Sequence, residues 1–233
     1  MGYFYGWAFD WTWLLLIPAL IISAVAQSKV SSTYKRFSRV PNQKGITGAA
    51  FAQDMLRRNN VSGIRIQSTG GVMTDHFDPR NMTVNLSEGV HSGRSVASVA
   101  IAAHECGHVL QKQTNYVPMK IRAGLVPVVN LCSRLSFPLI IIGIIFSGFE
   151  VLINIGVWIY FAVVVFQLVT LPVEFNASGR ALANIEASDM LTATEQSEAK
   201  EMLSAAALTY VAAMLSSFLS FLRLLLIARR RNN

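Results

Sequence analysis

Four long apolar segments alternate with polar stretches along the chain. They cover residues 11–26, 125–147, 151–171 and 202–228, and residues 4–9 extend the first of them past Asp10. A helix that crosses a membrane needs about 20 apolar residues, with a lower limit of about 17. The pattern therefore predicts a mainly α-helical membrane protein with about four transmembrane helices.

Residues 1–27 have the features of an uncleaved membrane anchor. Ala24-Val25-Ala26 matches the small-residue cleavage site of a secretory signal, but no Lys or Arg precedes the apolar stretch. Five basic residues follow directly: Lys29, Lys35, Arg36, Arg39 and Lys44. Because basic residues accumulate on the cytoplasmic side, we expect the N-terminus outside and residues 28–120 in the cytoplasm.

Residues 28–120 include the only long stretch of ordinary soluble composition, and they form the predicted catalytic half. Within them, residues 47–59 predict a capped amphipathic helix, and residues 95–113 predict a buried helix. The apolar face of the first helix is expected to carry four side chains: Ala50, Phe51, Met55 and Leu56.

Two short strands are predicted between these helices. Apolar and polar residues alternate at 64–67 and again at 82–86, with a turn-rich loop at 70–80 between the two runs. The strand at 81–87 is either an interior strand or an edge that pairs with an extended substrate.

The second half of the chain divides into three predicted parts. Residues 121–172 predict a transmembrane hairpin, 173–201 a polar helical segment, and 202–233 a membrane helix with a basic tail. A first crossing, a hairpin and a last crossing leave Arg229 to Arg231 outside, against the usual placement of basic residues. Either the last segment does not cross fully or an earlier assignment is wrong.

Composition supports the membrane class. Apolar residues make up 52% of the chain and charged residues only 14%, against about 25% charged in soluble domains. The net charge is +7, but the basic residues concentrate at 29–44 and 229–231, beside apolar stretches. That placement favours the lipid bilayer and its anionic head groups as partner. We expect no nucleic-acid partner, because basic and aromatic residues form no shared stripe.

The run His104-Glu105-Cys106-Gly107-His108 carries the candidate chemistry. Histidines four apart on a helix project from one face and can bind one Zn²⁺. Glu105 follows the first histidine, where its carboxylate can take a proton from a water molecule whose pKa zinc lowers. Gly107 leaves room for another backbone. Cys106 is either a core residue or an additional sulfur ligand, and its position predicts that it points away from the metal.

A hydrolytic zinc site needs a third protein ligand. Glu174 follows the predicted hairpin and returns to the catalytic side, whereas Glu150 lies in the turn on the opposite side. Glu174 and Ser178 are one helical turn apart with Arg180 nearby, which predicts a ligand with hydrogen-bonding neighbours. Two lesser candidates follow: Glu186 and Asp189.

Several stretches of the chain resemble the YugP-like neutral zinc metallopeptidases, membrane proteins that look like distant relatives of the HtpX and Ste24 peptidases. The matching stretches lie in order at 75–80, 102–111, 171–178 and 206–212. The resemblance implies a gluzincin-like zinc helix beside a small β element, with Glu174 matching the Glu of the relatives' Glu-x-x-Ala-Asp pattern. This chain has Ser178 in place of that Asp, so the carboxylate that orients a ligating histidine must be absent or come from elsewhere.

Two further residues are candidates for stabilising the oxyanion of the reaction. Tyr210 can donate a hydrogen bond opposite the base, or it packs as an ordinary core tyrosine. His76 can line the cleft or stabilise the oxyanion, or it caps a turn.

Together these features predict a membrane-embedded zinc metalloendopeptidase that hydrolyses membrane or membrane-near polypeptides. We expect it in the plasma membrane with its site facing the cytoplasm. One alternative is a membrane scaffold or adaptor with a structural or inactive zinc site. Another is a transporter, favoured by four polar residues within the membrane segments: Asn130, Arg134, Asn154 and Gln167. The pattern does not distinguish a homo-oligomer from a complex with a regulatory membrane partner.

Overall fold

The computed structural model describes residues 11–146 and 149–232, and it is mainly helical with one small sheet. The predicted extension of the first apolar segment over residues 4–9 lies outside the described residues. A short 3-10 helix, Trp11–Leu15, opens the described chain. The helices are α1 (Leu16–Phe37), α2 (Gly48–Arg58), α3 (Glu88–His91), α4 (Val96–Gln113), α5 (Val117–Ile145), α6 (Glu150–Glu186) and α7 (Ala193–Asn232); the strands are β1 (Arg65–Thr69), β2 (His76–Asp78) and β3 (Thr83–Ser87).

Within the described residues, four helical stretches are long and apolar enough to cross a membrane, which confirms the predicted number. Each helix extends beyond its predicted apolar segment. Helix α1 continues past Ala26 because its polar continuation still presents Val30 and Phe37 to a buried core. Helix α6 runs through Pro172 without a break, since the residues after it again bury one face, including Ala177.

Helix α2 follows its prediction closely. The Thr47 hydroxyl accepts a hydrogen bond from the Ala50 amide and caps the helix, which ends at Arg58. Phe51, Met55 and other apolar residues of one face are buried. Ala50 was expected on that face, but it is exposed, and Ala52 lies in the core instead.

The sheet has three strands rather than two, in the order β1-β3-β2. Strand β1 pairs parallel to β3, with Ile66 opposite Val84, and β2 pairs antiparallel to it, with Phe77 opposite Val84. The loop predicted at 70–80 therefore contains a strand, which three residues were too few to reveal as a pattern. Strand β3 is central, so of the two alternatives for residues 81–87 the interior strand is right and the substrate-pairing edge is wrong.

Contacts divide the chain into two compact units. The site unit comprises Gln27–Lys120 and Pro172–Leu208, and the membrane unit comprises Met1–Ala26, Ile121–Leu171 and Thr209–Asn233. The core of the site unit gathers apolar side chains of α1, α2, α4, β3, α6 and α7, with Phe51 and Leu86 fully buried.

Glycines bring two helices of the membrane unit together. A Cβ added at Gly143 of α5 would lie 2.6 Å from Ile153 Cγ1, and one at Gly156 of α6 would lie 2.6 Å from Ile140 Cγ1. Small residues at such crossings let membrane helices approach closely. Within this unit Ser23 also hydrogen-bonds Ser216 at 2.9 Å.

Candidate metal centre

Helix α4 presents the two histidines of the motif. The Ser95 hydroxyl accepts a hydrogen bond from the Ser98 amide and caps the helix. The helix then runs regularly over 18 residues, from Val96 to Gln113, with no Pro and with Gly107 as its only Gly. The spacing of four places His104 and His108 side by side, with ring centroids 4.8 Å apart.

Gly107 allows α6 to approach α4 at the motif. A Cβ at position 107 would lie 2.4 Å from the backbone oxygen of Ala177 and 3.2 Å from its Cα. Any side chain there would collide with the backbone of α6. The predicted purpose of Gly107, room for another backbone, is met by Ala177.

Glu174 of α6 reaches both histidines. Its Oε2 lies 3.3 Å from His104 Nε2 and 3.5 Å from His108 Nε2. The potential ligand atoms of the three residues all lie within 4.8 Å of one another. Glu174 is 2% exposed, so an acidic group that normally seeks water is held among imidazoles inside the protein.

The donor set fits a zinc ion. Zinc–nitrogen and zinc–oxygen bonds of about 2.0–2.2 Å in a tetrahedron require ligand atoms roughly 3.3 Å apart. The two measured separations from Glu174 Oε2, 3.3 Å and 3.5 Å, agree with that requirement. Two imidazoles and one carboxylate are also the ligand combination of catalytic zinc sites that keep one position open.

His104 is oriented by Ser178. Its Nδ1 lies 3.1 Å from the Ser178 hydroxyl oxygen. With the Nδ1 proton donated to that oxygen, the Nε2 lone pair faces Glu174, as a ligating histidine requires. The orienting contact is thus made by a neutral hydroxyl and not by a carboxylate.

His108 is oriented by Gln111, which is fully buried. The Gln111 side-chain nitrogen donates to the Val173 backbone oxygen at 2.7 Å and to Asn176 Oδ1 at 3.0 Å. Its oxygen therefore faces His108 Nδ1, 3.0 Å away, and accepts that proton. Because the amide cannot turn without losing these bonds, the Nε2 of His108 is left as the ligating atom.

The electrostatics of the site favour a cation. Burial of the His108 ring lowers its pKa, but the hydrogen bond with Glu174 and the charges of Glu105 and Glu174 outweigh burial and leave the pKa raised. Glu105 itself is 8% exposed and follows His104 on α4. Two carboxylates thus place negative charge around the imidazoles, which attracts a metal ion.

Cys106 lies outside this group. Its thiol contacts the Ala52 backbone oxygen on α2 at 3.8 Å, and the residue is fully buried in the core. Burial, with a smaller effect of the Glu105 charge, raises the pKa of the Cys106 thiol far above its usual range. The placement fits the core interpretation and the expectation that Cys106 points away from the metal.

The remaining candidates are not members of the ligand group. His76 is in β2, where Nδ1 donates to the Thr74 backbone oxygen at 2.8 Å and Nε2 faces Asn85 Nδ2 at 3.2 Å. Tyr210 is on α7 in the membrane unit. Glu186 and Asp189 are exposed and outside the ligand group.

Gln111 and Asn176 form the hydrogen bonds that orient His108, and their residue types alone did not predict this role. Gln111 lies three positions after His108, a spacing that puts both on one helix face. Asn176 lies two positions after Glu174 on α6. Each spacing was visible in the sequence, but only the approach of α4 to α6 shows that the two side chains meet.

Comparisons with known proteins agree with this chemistry. The family model described as "Putative neutral zinc metallopeptidase" matches residues 12–229. The "Putative membrane protease YugP" of Bacillus subtilis (strain 168) is 42% identical over 213 residues, which cover 91% of this chain and 94% of that protein. No solved structure matches the chain significantly. Both matches span the helices that carry the candidate ligands.

Proposed function

The chain belongs to the neutral zinc metallopeptidase family, and on that premise we propose that it is a membrane-embedded zinc endopeptidase. Zn²⁺ is the cofactor of this family. In the proposal His104, His108 and Glu174 hold the metal and Glu105 is the general base. The observation that carries it is the convergence of two histidine Nε2 atoms on Glu174 Oε2, at 3.3 Å and 3.5 Å.

The reaction is hydrolysis of a peptide bond. A zinc ion held by these ligands supplies a Lewis acid that polarises the substrate carbonyl and lowers the pKa of a water molecule. Glu105 takes a proton from the attacking water as the carbon–oxygen bond forms. Glu105 then gives that proton to the leaving nitrogen as the carbon–nitrogen bond breaks. One water is consumed, and the carboxylate returns to its starting state.

The burial of the site supports this role for Glu105. Glu105 is 8% exposed, so its carboxylate lies where little water weakens its interactions with the reacting groups. Its position directly after His104 also keeps it beside the metal ligands on the same helix.

Tyr210 and His76 are the proposed candidates for stabilising the oxyanion. A donor in that role acts on the transition state, so its loss lowers kcat and leaves the zinc content unchanged. Tyr210→Phe and His76→Ala, each assayed for kcat and for bound zinc, test the two residues separately. A variant with wild-type kcat removes its residue from the mechanism.

We further propose a plasma-membrane location with the site facing the cytoplasm, and membrane or membrane-near polypeptides as substrates. The basic residues that follow the first apolar segment, among them Lys35 and Arg36, support this orientation. The four candidate spans among the described residues support the choice of substrates, because a chain that crosses the membrane meets polypeptides in or near it.

The deciding experiment compares purified full-length wild type with Glu105→Gln in detergent, measuring bound zinc and cleavage of casein. Glu186→Gln is the matched control, because Glu186 is an exposed carboxylate outside the ligand group. We expect about one zinc in all three proteins, cleavage by wild type and by the control, and a loss of at least about 100-fold in Glu105→Gln. Zinc in all three without cleavage supports a scaffold instead. No zinc in wild type refutes the ligand assignment.

A further inference from the structure

We propose that Asn176 and Arg180 are positioning residues for zinc binding, which act on His108 through Gln111. This inference rests on the proposed function, because it takes His108 as a metal ligand. Neither residue is one of the proposed ligands. Both belong to α6, the helix that also carries Glu174.

The first step is that both hydrogens and the oxygen of the Gln111 side-chain amide have hydrogen-bond partners. Gln111 is 0% exposed, and its nitrogen has two hydrogens. One is donated to the Val173 backbone oxygen and the other to Asn176 Oδ1. The side chain is thereby held with its oxygen toward His108 Nδ1.

The second step is the double use of one Asn176 oxygen. Asn176 Oδ1 accepts from Gln111 Nε2 at 3.0 Å and from Arg180 Nε at 2.8 Å. Asn176 and Arg180 are four apart on α6, so they are neighbours on one face. The charged guanidinium makes the stronger of the two hydrogen bonds and so holds the Asn176 amide with its oxygen available to Gln111.

Arg180 also joins the two helices directly. Its Nη1 donates to the Leu110 backbone oxygen at 3.3 Å, next to Gln111 in the last turns of α4. A cation is favourable at that end of a helix, because the helix dipole is negative there. The guanidinium also lies 6.0 Å from the centre of the Tyr116 ring. Arg180 therefore contacts both helices, through Asn176 on α6 and through the Leu110 backbone oxygen on α4.

Loss of the Asn176 oxygen would act on the metal ligand through these bonds. One Gln111 hydrogen would lose its partner in a buried position, which is unfavourable, and only the bond to the Val173 backbone oxygen would then oppose turning of the amide. A turned amide presents hydrogens to His108 Nδ1 and favours the tautomer with its proton on Nε2. That tautomer cannot bind zinc through Nε2.

The test measures zinc affinity by competition with a fluorescent chelator, using full-length protein in detergent. Asn176→Leu removes the oxygen and is expected to weaken zinc binding by about 10-fold or more, the lower end for loss of an orienting partner. Asn176→Asp keeps an oxygen acceptor for both donors and is expected to bind within about threefold of wild type. The spectrum of the Co²⁺-substituted protein should change in Asn176→Leu and not in Asn176→Asp.

Asn184→Leu is the matched control. Asn184 is also on α6 and also bonds across elements, accepting from Asn59 Nδ2 at 2.6 Å, but it does not contact Gln111. It should keep wild-type zinc affinity. Asn176→Ala replaces Asn176→Leu if the larger side chain prevents folding.

The possible outcomes separate this inference from the proposed function. Wild-type zinc affinity in Asn176→Leu overturns the positioning role and leaves the peptidase proposal standing. Equal weakening in Asn176→Asp and Asn176→Leu overturns it as well, since the oxygen is then not what matters. A wild type that binds no zinc refutes the proposed function, and this inference with it.

Discussion

Ser178 shows how one residue changes the strength of an orienting contact. A carboxylate that accepts a proton from a ligating histidine raises the basicity of the ring, and a neutral hydroxyl does so less. The Ser178 hydroxyl lies 3.1 Å from His104 Nδ1. Ser178 therefore has the hydrogen-bonding geometry of an orienting partner but carries no charge.

Ser178→Ala should therefore weaken zinc binding by roughly 10-fold, since His104 loses the partner that fixes its tautomer. Ser178→Asp should bind zinc more tightly than Ser178→Ala. Chelator competition measures both. Ser188→Ala is the control, because the Ser188 hydroxyl bonds locally to the Ile185 backbone oxygen at the end of α6. Equal affinities for wild type and Ser178→Ala would mean that the hydroxyl does not orient His104.

Cys106 should be inert toward thiol reagents in the folded protein. Burial raises the pKa of its thiol, so the reactive thiolate is scarce at pH 8, and the residue is also inaccessible. In a Cys132→Ser background, iodoacetamide followed by mass spectrometry should detect modification of Cys106 only after unfolding. Modification of the folded protein at the rate of a free thiol would contradict this placement.

At the scale of elements, the crossing of α4 and α6 is set by Gly107. Alanine is usually the better helix residue by up to about 1 kcal/mol. Here its Cβ would lie 2.4 Å from the Ala177 backbone oxygen, so the helices must move apart. The steric effect therefore outweighs the helix propensity, and the motif loses its position relative to Glu174.

We expect Gly107→Ala to lower stability by about 1–3 kcal/mol and to lose most bound zinc. Thermal unfolding in detergent and metal analysis measure the two effects. Gly179→Ala on α6 is the control, since a Cβ there has no atom within 4 Å. That variant should be neutral or slightly stabilised and retain zinc. If both variants behave alike, close approach at Gly107 is not required.

Local signals explain which elements could be predicted. Thr47 and Ser95 cap α2 and α4 as their sequence positions indicated, because a capping hydroxyl acts within a few residues. Strand β2 was missed because Phe77 is buried by pairing with β3, a contact that local sequence does not encode. Helix α6 passes through Pro172 for a similar reason: buried packing on both sides outweighs one missing hydrogen bond.

At the scale of the molecule, the candidate metal ligands were easier to predict than the side chains that hydrogen-bond around them. His104, His108 and Glu174 were predicted together from residue type and topology, although 66 positions separate the last two. Their convergence is now visible in the geometry. The Gln111–Asn176 contact could not be predicted in the same way, because it depends on the rotation of α6 about its own axis.

Four membrane crossings predict on which side of the membrane each end of the chain lies. An even number of spans puts both ends of the protein on one side of the membrane, and the basic residues after α1 put residue 38 on the other. Single cysteines placed before Trp11, after Arg231 and at Ser38 can be labelled with a membrane-impermeant maleimide. We expect the two ends outside and Ser38→Cys inside. Ends on opposite sides would show that one candidate span does not cross.

The order of the ligands along the chain has a consequence for biosynthesis. His104 and His108 leave the ribosome before the hairpin of α5 and α6, and Glu174, in the second half of α6, leaves only after the apolar part of that hairpin. During translation the polypeptide therefore carries two of its three proposed ligands while both hairpin helices are still being inserted. The proposed hydrolytic centre therefore stays incomplete until that insertion is under way.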